Sequence, residues 1–233
     1  MPGARPDIET SRPLNEPARR SREGLFIFVI GRPGSGKSEF IRRAARRLTE
    51  EGTVRRTCRV DDCSKLWDIF RLEESSGEWK RCRKMPGGGY RVTDPSVWDE
   101  LLRAVAREVG ELETSSAATF VEFSRASYAA AFKNFSPDLL RRSVVAYVDC
   151  SFDTCWRRNL QRSKSSEGQD RHFVSREEME STYRRDDREE FLRQSPAPVF
   201  VVDNESDGTE HLQAAAEVFA GKLRDVGKAG GTS

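Results

Sequence analysis

The sequence predicts a three-layer α/β/α domain built on a five-stranded parallel sheet. Three observations predict it. Short apolar runs alternate with amphipathic helical segments, the pattern of repeated βα units with helices on both faces of a sheet. Three of the runs close on an aspartate, at Asp61, Asp149 and Asp203. The first run leads straight into a glycine-rich loop that opens a helix.

Taken in order, residues 25–30 are continuously apolar and rich in β-branched and aromatic side chains, as expected of a strand buried on both faces. From 37 to 51, Phe40, Ile41, Ala44, Ala45 and Leu48 form one helical face and Arg42, Arg43, Arg46 and Arg47 the other. A weaker strand at 54–60 ends at Asp61-Asp62. Asp94-Pro95 then opens a helix to about Val109, with Asp as cap and Pro in the first turn. Residues 117–123 read as a strand, 128–135 as a short helix, and 144–148 as a strand closing on Asp149. Residues 152–160 are helical, with Phe152, Cys155, Trp156 and Leu160 on one face. A highly charged helix is expected over 175–193, a last strand over 199–202 and a last helix over 211–226.

Some stretches stand outside this rhythm. Residues 1–23 hold prolines and few large apolar side chains, too little to offset the entropy of ordering, so a disordered arm is expected there and a flexible tail over 227–233. The domain proper is expected over 24–226. A flap over about 75–93 carries Trp79, Lys80, Arg81, Arg83, Lys84 and Tyr90 around Gly87–Gly89. A polar loop over 163–174 joins two arginine-bearing helices. Long polar segments in a compact domain usually cover binding sites.

Composition narrows the function. A net charge of +2 does not describe a dedicated nucleic-acid binder, so a nucleic-acid partner is not expected. The 33% charged residues and the lack of a long apolar run exclude a bilayer-spanning segment. The five cysteines are odd in number and form no C-x-x-C pair, which fits free thiols in a reducing compartment. With no apolar leader near the start, a cytoplasmic location is expected.

Gly31-Arg32-Pro33-Gly34-Ser35-Gly36-Lys37-Ser38 matches G-x-x-x-x-G-K-[ST] in full, after a strand and before a helix. Gly31, Gly34 and Gly36 let successive backbone N–H groups turn inward, beside the partly positive helix N-terminus. Lys37 is placed for the β- and γ-phosphates, and Ser38 for Mg²⁺ through its hydroxyl. The loop therefore predicts ATP and Mg²⁺ as cofactors.

On this loop and its flanking elements, residues 25–223 resemble the P-loop kinases, the group that includes adenylate, shikimate and nucleoside kinases. The resemblance implies a sheet order 2-3-1-4-5, an acceptor beyond the second and third strands, and a basic lid over ATP. It favours ATP over GTP, since no N-K-x-D motif is present.

Phosphoryl transfer needs alignment, charge neutralisation and sometimes a carboxylate for the acceptor's proton. Acids at strand C-termini are the first candidates, because open α/β sheets bind ligands there. Asp61 resembles the acceptor-binding or base position of small-molecule kinases; it could equally cap the helix that follows. Glu122 and Arg125 in Val-Glu-Phe-Ser-Arg resemble the E-x-x-R arrangement of nucleoside kinases, with the acid near Mg²⁺ or the acceptor hydroxyl and the arginine on phosphate, or else an ion pair with one another. Asp149 matches a Walker B acid in form, but the implied order puts its strand opposite the acceptor side. Asp203 lies where similar kinases place the adenine loop.

The order strand, arginine helix, polar loop, arginine helix resembles a kinase lid over about 157–185. Arg157 is assigned to the cofactor, Arg158 and Arg162 to the transferring phosphoryl group, and Arg171, Arg176, Arg184 and Arg185 to the rest of the lid. The expected activity is ATP-dependent transfer of the γ-phosphoryl group to a hydroxyl or phosphate of a small molecule, including nucleosides or nucleotides. The alternatives are an ATPase switch or assembly factor, and a nucleic-acid end kinase. Acceptor identity and oligomeric state have no motif of comparable specificity.

Overall fold

A computed structural model describes residues 24–86, 89–112, 117–164 and 173–229. The elements run β1 (Leu25–Ile30), α1 (Lys37–Glu50), β2 (Arg56–Asp61), α2 (Cys63–Ser76), β3 (Cys82–Lys84), β4 (Tyr90–Val92), α3 (Ser96–Glu111), β5 (Ala117–Phe123), α4 (Tyr128–Ala131), α5 (Pro137–Arg141), β6 (Ser143–Asp149), α6 (Phe152–Lys164), α7 (Arg176–Glu178), α8 (Arg188–Gln194), β7 (Val199–Asp203) and α9 (Glu210–Ala229). A five-stranded parallel sheet runs β2-β5-β1-β6-β7, and β3 and β4 form a separate antiparallel hairpin. With the hairpin set aside, this is the expected order 2-3-1-4-5.

Strand periodicity explains the three layers. In β1, Ile27 and Val29 join one core with Phe40, Ile41, Ala44 and Leu48 of α1 and Phe219 of α9. Phe26, Phe28 and Ile30 point to the opposite core, with Leu102 and Val105 of α3 and Phe191 of α8. Side chains of a strand alternate between faces, so a strand apolar at every position needs helices on both sides. The second core is aromatic: Phe28 lies 4.9 Å from Phe132 and 4.8 Å from Phe135, centroid to centroid. Such pairs add about 0.5–1.5 kcal/mol to their area burial.

Register sets what meets at the sheet's C-terminal edge. Val29 pairs with Glu122, Asp61 with Glu122, and Asp149 with Asp203. Paired residues in parallel strands face the same side, so Glu122 and Asp61 project together toward the α1 layer.

Two expectations need correction. The charged helix over 175–193 is broken into α7, a wide helical turn at Met179–Tyr183, and α8. The break lets three consecutive side chains serve the core region instead of a helix surface. Asp186 pairs with Arg32 at 2.9 Å, and Arg188 with Asp149 at 2.6 Å. Asp187 accepts hydrogen bonds from the N–H groups of Tyr128 (2.8 Å) and Ala129 (2.9 Å), capping α4. The helix over 128–135 stops as α4 and tightens into a 3₁₀ turn at 132–134. The flap carries the β3–β4 hairpin, anchored by buried Glu73, whose carboxylate accepts from the N–H groups of Lys80, Arg81 and Cys82 at 3.0–3.1 Å. The expected arm over 1–23, the glycines at 87–88, most of the 163–174 loop with Arg171, and the tail beyond 229 lie outside the described residues. Among the described residues no helix is long and apolar enough to cross a membrane.

Candidate active site

The glycine-rich loop is a cradle shaped by its three glycines. Gly34 and Gly36 have φ of 85° and 97°, a region that favours glycine. A Cβ at Gly34 would lie 2.4 Å from the Cys155 carbonyl oxygen, and one at Gly36 would lie 2.2 Å from Asn204 Nδ2. Asn204, buried just after β7, donates from Nδ2 to the Ser35 carbonyl at 2.5 Å and bonds His211 of α9 through Oδ1. The loop is thus pinned from the far side of the sheet. Ser35 Oγ is buried with no hydrogen-bond partner.

Lys37 is folded back over the loop. Its Nζ donates to the carbonyls of Gly31 (3.1 Å) and Arg32 (3.0 Å) and to Ser124 Oγ (2.8 Å). Burial lowers its pKa, and the nearby Glu122 carboxylate pulls the other way. Ser38 Oγ donates to Glu122 Oε1 at 3.1 Å. Glu122 is buried, and burial raises its carboxyl above the usual range although Lys37 and Arg59 oppose this. Arg59 Nη2 lies 2.8 Å from Glu122 Oε2 and donates to Ser38 Oγ at 3.3 Å.

These residues fit the group the motif implies. A hydroxyl and a carboxylate are hard oxygen donors, as Mg²⁺ requires, and Mg²⁺ takes few protein ligands because phosphates and water fill the rest. Among the described residues no three His, Cys, Asp or Glu side chains converge to hold a metal alone. The unpartnered Ser35 hydroxyl and the glycine cradle leave the loop suited to an anion.

Beyond Glu122 toward β2 lie two further acids. Asp61 Oδ1 accepts the Ser64 N–H at 2.9 Å, and its Oδ2 lies 3.9 Å from Arg59 Nε. It therefore turns the chain into α2 with one oxygen and faces Arg59 with the other. Asp62 is buried and ion-paired to Arg125. Arg125 also donates to the carbonyls of Ser124 (2.6 Å) and Trp98 (3.1 Å), and its guanidinium sits 4.9 Å from the Trp98 ring centroid. This corrects the expected ion pair between Arg125 and Glu122. Arg125 is committed to Asp62, not to Glu122, and its buried guanidinium holds the ends of β2, α3 and β5 together. Burial raises the Cys63 thiol to about 12, and Asp62, Asp61 and Glu122 add to the shift against Lys37.

On the other side the arginines are anchored. Arg32 donates to the carbonyls of Tyr183 (2.9 Å) and Cys150 (3.0 Å) besides pairing with Asp186. Arg157 pairs with Asp207 at 2.7 Å. Arg158 donates to the carbonyls of Asn204 and Ser206, each at 2.7 Å. These two hold the loop after β7, whose carbonyls and Asp207 take both guanidiniums. Arg162 acts on Lys37 through its charge. Asp203 is exposed and accepts the Glu205 N–H at 3.0 Å, shaping the same loop. Arg176 pairs with Glu180, and Arg184 lies over the Phe152 ring. Asp149 is paired with Arg188, apart from Ser38.

No family model and no curated protein matches this chain. Solved structures do. A gluconokinase from Sinorhizobium meliloti 1021 superposes with a TM-score of 0.53 at 13% identity, over 91% of this chain and 100% of the other. Kti12 from Chaetomium thermophilum, in complex with ADP-AlF3, superposes with a TM-score of 0.54 at 15% identity, over 83% of this chain and 97% of the other. The chain has the fold of the P-loop kinases.

Within that fold, four residues complete the site and were not singled out from the sequence. Ser124 and Asn204 hold Lys37 and the loop, Arg59 bridges Ser38 and Glu122, and Asp62 neutralises Arg125. Asn204 and Asp62 follow strand-ending aspartates, which is a usable signal. Arg59 carries no motif; only the two-residue spacing from Asp61 puts it on the same face.

Proposed function

We propose that the protein is an ATP-dependent phosphotransferase that moves the γ-phosphoryl group to a hydroxyl or phosphate of a small molecule. The observation that carries this reading is the pair Ser38–Glu122 beside a complete phosphate loop, with Asp61 next to Glu122 across the strand register. The loop from Gly31 to Ser38 would hold the triphosphate, with Lys37 as the cation for its β- and γ-phosphates. Ser38 and Glu122 would hold Mg²⁺, which supplies positive charge against the phosphate oxygens. Glu122 orients Ser38 by accepting its proton in a hydrogen bond. Asp61, with one oxygen free of its capping bond, orients an acceptor hydroxyl and takes its proton. Asn204 and Arg158 keep the loops on the nucleotide side in place.

The likeness to a gluconokinase supports the general reaction; the acceptor itself is a matter for experiment. Purified protein with Mg·ATP is to be screened against polyols, sugars, sugar acids, nucleosides and nucleotides, reading phosphorylated product by mass spectrometry. Acceptor-dependent product is the expected result. ATP hydrolysis with no product, stimulated by a protein partner, would move the assignment to an ATPase switch.

A further inference from the structure

Arg59 has no role in the reading above, yet it sits at its centre. It lies on β2, the edge strand, with its side chain 38% exposed and so free to move. Its guanidinium reaches both oxygen donors assigned to the divalent ion: 2.8 Å to Glu122 Oε2 and 3.3 Å to Ser38 Oγ. A second acid stands ready on the same face, with Asp61 Oδ2 at 3.9 Å from Arg59 Nε. Two residues apart on one strand, Arg59 and Asp61 share a side of the sheet, and Asp61 is level with Glu122.

A buried carboxylate without a partner is costly, and a cation beside it offsets much of that cost. A guanidinium and a divalent ion cannot both sit against the same hydroxyl and the same carboxylate oxygen at these distances. The guanidinium's planar fork presents several donors, and Arg59 already has one carboxylate at 2.8 Å and the other at 3.9 Å.

We infer that Arg59 is a resident counter-ion that competes with the divalent cation for Ser38 and Glu122, and that it passes to Asp61 when the cation binds. The inference rests on the kinase reading for the nature of the ion. It adds a consequence: metal binding draws a positive charge onto Asp61 Oδ2, so the acceptor side is set only after the metal is in place, and Asp61 then meets the acceptor hydroxyl through the lone pairs left by Ser64 and Arg59. This gives an order of events that Lys37, Ser38 and Glu122 alone do not.

The test reads metal binding rather than turnover. Binding of the non-hydrolysable analogue AMPPNP is first measured in EDTA, and Mn²⁺ is then titrated into the AMPPNP-loaded protein, following free Mn²⁺ by electron paramagnetic resonance. Removing one unit charge a few ångströms from the ion in a partly solvated site is worth roughly a tenfold change in affinity. Arg59→Gln is expected to bind Mn²⁺ about tenfold more tightly than wild type, and Glu122→Gln more weakly. Arg59→Lys, which keeps the charge, is expected near wild type, and it guards against a folding artefact in the glutamine variant. Unchanged or weaker Mn²⁺ binding in Arg59→Gln, with AMPPNP still bound in EDTA, overturns the role of Arg59 and leaves the kinase reading standing. Failure of the wild type to bind AMPPNP even with Mn²⁺ present overturns both.

Discussion

Arg125 offers the sharpest test of how this site is held, because two readings of it predict different losses. The structure buries it against Asp62, with side-chain exposures of 8% and 12%. Removing one partner of a buried ion pair typically costs about 3–5 kcal/mol, because the other charge is stranded. Asp62→Ala leaves the guanidinium its two carbonyl acceptors and the Trp98 ring, so the loss should fall at the low end, about 3 kcal/mol. Arg125→Met strands a carboxylate whose side-chain donor was Arg125, so about 4 kcal/mol is expected. The double variant removes both charges and should cost no more than the larger single change, about 4 kcal/mol, giving a coupling near 3 kcal/mol in a double-mutant cycle. Urea unfolding with a common m value measures this, and each single change should lower Tm by roughly 6–16 °C for a domain of this size. AMPPNP affinity should stay within about twofold. Additive losses under about 1 kcal/mol, or a collapse of nucleotide binding in a variant of normal stability, would refute the structural role and return Arg125 to the phosphates.

Lys37→Ala should leave the circular dichroism spectrum unchanged while ATP turnover falls by at least about 10²-fold, since the β- and γ-phosphates lose their fixed cation; a folded variant of normal turnover would sink the phosphate-loop assignment. Glu122→Gln should lose metal-dependent turnover by about 10²–10³-fold. In the metal-free wild type burial raises the Glu122 pKa, so ionising it costs folding stability as pH rises from the unfolded value through the raised folded one; urea unfolding at several pH values should show this loss in wild type and not in Glu122→Gln. For Glu73 burial alone would raise the pKa, but hydrogen bonds from the Cys82 thiol and the Arg81 and Cys82 N–H groups hold it at about 2. Its contribution is therefore complete above the unfolded value and lost as pH falls toward about 2, which fluorescence of Trp67 and Trp79, both against Tyr90 of the hairpin, should report in wild type and not in Glu73→Gln. Asp61→Asn should slow transfer by about 10²-fold with ATP affinity unchanged, and stability should hold because asparagine caps a helix as well as aspartate; near-normal kcat would leave Asp61 as a cap only.

Much of the fold was legible because it rests on local signals. An apolar run of period one, a glycine loop and a helix with one apolar face are each readable in a window shorter than twenty residues, and β1, the loop and α1 follow from them. The strand order followed from resemblance, and register then brought Asp61 level with Glu122. What escaped depends on contacts distant in sequence. The 175–193 segment has helical charge spacing throughout, yet Asp186, Asp187 and Arg188 gain more from Arg32, the α4 N-terminus and Asp149 than from another helical turn. Arg157 and Arg158 read as lid residues by their place after β6, but their acceptors lie some fifty positions on, in the loop after β7. The partner of Arg125 is sixty-three residues earlier, a separation no local pattern reports.

The positions of the acids also argue for a division of labour between them. Glu122 lies between the β1 and β2 registers and touches Ser38, which is why the proposed function sets it beside the phosphates. Asp61 lies one strand further out on the same face and has no contact with the phosphate loop except through Arg59. A general base must reach the proton it removes, and a metal-side acid must not compete for it. On the proposed exchange, Arg59 between them neutralises whichever carboxylate is without a cation. The proposed kinase reading therefore expects the acceptor on the β2 side of the sheet. Under it, a hydroxyl at Asp61 would approach from the sheet edge opposite to β7 and the loop that Arg157 and Arg158 hold.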